Sequence, residues 1–94
     1  MRSEQQILLD HVTTHLENAC KVILLGDEPL TRRAEVASVE VELLHADDLE
    51  AVPESLQSDI RDLTRLATEG FTQDIAVKYA SRLLDVYVRA ENVR

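Results

Sequence analysis

Apolar residues recur three and four positions apart along almost the whole chain, and that spacing makes α-helix the structure that gathers them on one face. Between about residues 3 and 25 the stripe is Leu9, Val12, Leu16, Ala19 and Ile23. The opposite face carries Asp10, Glu17 and Lys21, with Glu17 four residues before Lys21 in the favourable ion-pair order. Gly26 follows, where a left-handed C-cap is expected.

The run Gly26, Asp27, Glu28, Pro29 is a turn, with Asp27 or Thr31 as the expected cap of the next helix. Leu30, Ala34, Ala37, Val41 and Leu44 then repeat the stripe, and Val36, Val39 and Leu43 form a second apolar row on another face. Residues 39–43 also alternate apolar and acidic, which leaves a short strand near 38–44 as the alternative. Pro53 and Glu54 suit the first turn of a third helix carrying Leu56, Ile60, Leu63 and Ala67. Gly70 and Phe71 are expected to end it as a Schellman turn, with Phe71 against Leu66. Thr72 caps a fourth helix running through Ala76, Tyr79, Leu83, Val86 and Ala90. Val77, Leu84 and Val88 widen its apolar arc to about 220°, more than one neighbouring helix covers.

Four amphipathic helices joined by short turns predict an all-α fold, an up-down antiparallel four-helix bundle over residues 1–94 as a single domain. A chain of 94 residues is marginal as an isolated core, so association of two copies is a natural remedy. The aromatic residues are Phe71, Tyr79 and Tyr87 alone, so Leu, Ile, Val and Ala must build the core.

Ten basic and eighteen acidic side chains give a net charge of −8, a field that repels nucleic-acid phosphates and anionic lipid. Neither nucleic acid nor membrane is an expected partner. The apolar run Ile7, Leu8, Leu9 is cut by Asp10 and His11, too short for a signal-peptide core. Cys20 is the single cysteine, which rules out an intramolecular disulfide and points to a reducing, cytoplasmic setting.

No catalytic signature stands in the chain, and no cofactor is expected. Two glycines are too few for a phosphate-cradling loop, and Cys20 lies among Leu16, Ile23 and Leu24 without a base. Two spacings suit metal ligation. His11 and His15 are four apart on one helical face, although the glutamate of a metalloprotease helix is replaced by Val12. Glu42 and His45 have the Glu-x-x-His spacing of di-metal bundles in a single copy. Asp47, Asp48 and Glu50 lack the glycine and ligand alternation of a calcium loop and suggest a polar helix end.

The sequence thus favours a non-enzymatic helical interaction module, an adaptor, inhibitor or small regulatory subunit. It would self-associate or bind another protein through the rows Val36, Val39, Leu43 and Val77, Leu84, Val88. The alternative is a metal-binding helical bundle using Glu42 and His45, with or without His11 and His15.

Overall fold

The computed structural model describes residues 3–94, and every regular element among them is helical. The elements are α1 (Glu4–Leu25), α2 (Leu30–Glu42), α3 (Ala46–Leu49), α4 (Glu54–Thr68) and α5 (Gln73–Val93). There are five helices where periodicity showed four, because the single turn α3 is too short to display a repeat. Residues 39–43 are not a strand. α2 continues through Glu42, and Leu43 closes it in helical conformation with φ −73° and ψ −12°.

Each helix begins and ends for identifiable reasons. Ser3 and Thr72 cap α1 and α5 by accepting hydrogen bonds from the Gln6 and Ile75 N–H groups. Pro29 and Pro53 precede α2 and α4 in extended conformation, outside the helix and with no side-chain cap. Neither Asp27 nor Thr31 is therefore the cap of α2. Pro53 likewise stands one residue before the first turn of α4.

The two glycines do different work. Gly70 has φ +87°, the left-handed conformation that ends a helix at little cost only when the residue lacks a Cβ. Phe71 beyond it meets Tyr79 edge to face, with ring centroids 5.2 Å apart. Gly26 is extended, at φ −73° and ψ 151°, rather than left-handed. It is needed for space: a Cβ there would lie 2.7 Å from Arg33 Cδ and 2.8 Å from the Val22 carbonyl oxygen. That close approach lets the Arg33 guanidinium donate to the carbonyls of Ile23 and Glu28, closing the C-terminus of α1.

α1 packs on α2, α3 and α5, while α5 also packs on α2 and α4, and α4 touches α2. Arg94 Nε reaches Asp10 Oδ1 at 3.0 Å and Cys20 Sγ lies 3.9 Å from the Leu83 carbonyl oxygen, so α1 and α5 run antiparallel. The buried apolar set is aliphatic apart from Tyr79 and Cys20, with Val12, Leu16, Leu63 and Leu83 wholly enclosed. Thr13 is also enclosed, and its hydroxyl is satisfied within α1 by donating to the Leu9 and Asp10 carbonyls at 3.1 and 2.9 Å.

Candidate functional site

Two kinds of surface stand out: apolar rows that the fold leaves uncovered, and a histidine–carboxylate cluster spanning three helices.

On α2 the core takes Ala34, Ala37, Ser38 and Val41. At 100° per residue these point in one direction, and Val36, Val39 and Leu43 point about 180° away from it. The three remain 39%, 58% and 49% exposed. A row directly behind the buried face cannot be reached by any other helix of the same compact core. Val36 and Val39 also line a shallow groove of about 290 Å³ with Val22, Arg32, Glu35 and Glu40. Its rims are charged, Arg32 pairing with Glu35 at 2.9 Å.

The α5 row behaves differently. Val77 and Val88 are exposed, whereas Leu84 is half-buried and packs against the core. The row sits on the flank of α5, about 130° from the centre of its buried face. The two rows lie on separate helices, as the sequence placed them, and the α5 row is the more nearly covered of the two.

His11 and His15 of α1 are brought together, their Nε2 atoms 3.2 Å apart and their rings edge to face. His15 Nδ1 stands 2.7 Å from Glu40 Oε1 of α2, and that oxygen also accepts from Asn18 Nδ2 at 3.2 Å. His11 Nε2 lies 3.9 Å from Asp48 Oδ2 of α3. Asp48 is buried and accepts from the His45 backbone N–H at 2.9 Å, capping α3. Neither Glu40 nor Asp48 was picked out from the sequence as part of this cluster. Asp48, read there as part of a polar helix end, does stand in the first turn of α3, where it is buried and caps the helix.

Glu42 and His45 are both exposed, and what His45 supplies to the cluster is its backbone N–H. Among the described residues, no group of three or more His, Cys, Asp or Glu side chains is placed to hold a metal ion.

Burial, with Glu17 nearby, pushes the Cys20 thiol up to about 11, so the thiolate needed for nucleophilic attack is scarce at neutral pH. Tyr79 is fully enclosed and its hydroxyl has no hydrogen-bond partner among the described residues. Burial chiefly, then Glu42 and Cys20, drive its phenol well above the ordinary range. Between α4 and α5, Asp59 pairs with Arg89, which also faces Asp85, in a polar cleft shared with Asp62 and Arg82. No helix among the described residues is long and apolar enough to cross a membrane.

Compared with models of known protein families, with curated proteins and with solved structures, the chain matches none.

Proposed function

We propose that this chain is a non-enzymatic helical interaction module whose working surface is the outward row of α2. The observation that carries the reading is the placement of Val36, Val39 and Leu43 directly opposite the buried face of their own helix. Burying such a row contributes roughly 25 cal/mol per Å² of apolar area, and only a second molecule can do so. A second copy of the chain is the first occupant to consider. Two-fold pairing covers the same patch on both partners at once and enlarges a core that 94 residues build only thinly.

Within this reading the four longer helices form an up-down bundle, with α3 as a capped turn in the connection between α2 and α4. A cytoplasmic adaptor, inhibitor or small regulatory subunit fits such a module. The charged rims around Val36 and Val39 would set register and discourage mismatched partners more than they add affinity. The test is the molar mass in solution over a concentration series, for the wild type and for Val39→Glu. Concentration-dependent doubling that Val39→Glu abolishes, with helical circular dichroism retained, supports the reading. A wild type that stays monomeric throughout, or a Val39→Glu variant that still doubles, removes self-association through this row.

A further inference from the structure

We propose that His11 and His15 form a two-nitrogen chelate for one divalent transition-metal ion of borderline softness, such as zinc or nickel, with water completing its coordination.

Three observations point the same way. First, the two Nε2 atoms are 3.2 Å apart. Two imidazole nitrogens, each at about 2.0–2.1 Å from a shared ion and close to the tetrahedral angle, stand roughly 3.2–3.4 Å apart. The Nε2–Nε2 spacing of the free side chains thus equals the bite of a chelate. Their i,i+4 spacing on α1, a rigid helix of 22 residues, maintains it.

Second, His15 is oriented as a ligand. Its Nδ1–H donates to Glu40 Oε1 at 2.7 Å, which leaves the lone pair on Nε2, the ring nitrogen that stands beside His11. A carboxylate on the far ring nitrogen fixes the tautomer and raises the basicity of the ligating one. Asn18 holds the same Glu40 oxygen at 3.2 Å, so the orienting group is itself anchored. With the His15 proton on Nδ1, the 3.2 Å contact in the metal-free protein requires His11 Nε2–H as its donor. On binding, His11 takes the Nδ1–H tautomer and presents Nε2, so two neutral imidazoles face the ion.

Third, the site is open on one side and acidic on the other. The His11 side chain is half exposed, which gives an ion and its waters a way in. Asp48 Oδ2, fixed by the His45 N–H, lies 3.9 Å from His11 Nε2. That is beyond the spacing of neighbouring direct ligands and suits a carboxylate that accepts from a metal-bound water. Imidazole nitrogen beside carboxylate selects zinc, nickel or copper over magnesium or calcium. The arrangement does not involve Glu42, and His45 takes part as the N-cap of α3 that holds Asp48, not as a ligand.

Calorimetric titration of the untagged 94-residue chain with zinc chloride, and separately with nickel sulfate, tests the proposal. One ion per chain is expected, with affinity lowered at least tenfold in His11→Ala and in His15→Ala, roughly tenfold in Glu40→Gln, and unchanged in His45→Ala. Because His11 is half exposed, His11→Ala retains the fold, which circular dichroism checks, and its melting temperature no longer rises with added zinc as the wild type's does. Absence of saturable binding to the wild type, or equal affinity in wild type and a folded His11→Ala variant, overturns the assignment.

Discussion

His15 Nδ1 lies 2.7 Å from Glu40 Oε1, tying the middle of α1 to the last turn of α2 across 25 residues of chain. Both side chains are shielded, at 16% and 25% exposure, so the contact is worth more than a pair standing in open solvent. A double-mutant cycle with His15→Ala and Glu40→Ala is expected to return a coupling energy of about 0.5–1.5 kcal/mol. Additive effects of the two substitutions in urea denaturation would show that the contact does not hold α1 to α2.

The Tyr79 hydroxyl is buried with no hydrogen-bond partner among the described residues, a desolvated dipole that hydrogen bonding does not repay. Tyr79→Phe is therefore expected to leave stability unchanged or to raise it, by up to about 1 kcal/mol. Tyr79→Ala removes the ring that fills the space beside Phe71 and is expected to cost about 3–5 kcal/mol. Chemical denaturation of both variants separates the ring's role from that of its hydroxyl.

Stability is expected to fall above about pH 9. Cys20 loses its proton near its ordinary value of 9.0 in the unfolded chain but only near 11 in the fold, so the native state holds the proton longer. Tyr79 is shifted the same way. The unfolded state thus binds fewer protons in this window, and the free energy of unfolding drops as pH rises from about 9 toward 11. Cys20→Ala is expected to flatten part of that slope in urea midpoints measured across the range. Below pH 9 the thiol should resist thiol reagents until the protein unfolds.

Helix ends supply a further check. Replacing Thr72 by Ala removes the oxygen that accepts from the Ile75 N–H and is expected to cost about 1 kcal/mol. Thr72→Ser keeps the acceptor and should cost little. Gly70→Ala, at φ +87°, is expected to destabilise by about 1 kcal/mol from backbone strain alone, because no atom lies within 4 Å of the added Cβ. Thermal unfolding of the three variants ranks these effects.

The long helices were legible because three-and-four spacing persists over thirteen residues or more in each, and Thr72 and Gly70 announce their ends by chemistry that acts locally. α3 was not legible: Ala46–Leu49 is a single turn, and what fixes it is the buried Asp48 carboxylate on the His45 N–H. Gly26 was misread for a related reason. Its requirement comes from Arg33, a neighbour brought close only when α2 folds back along α1. The sequence showed His11 and His15 on one face, yet Glu40 and Asp48, which complete their surroundings, arrive from other helices and leave no local pattern. The alternation at residues 39–43 looked like a strand because it superimposes an outward apolar row on a helix whose inward face is also apolar.

That outward row is the core of the functional account, and the molar mass of the untagged protein by light scattering, measured over a wide concentration range, tests it most directly. Self-association through this row predicts a mass rising from the 10.6 kDa of one chain to that of two, and a Val39→Glu variant that stays at one. A wild type fixed at one chain at every concentration, or a variant that dimerises as the wild type does, would contradict it.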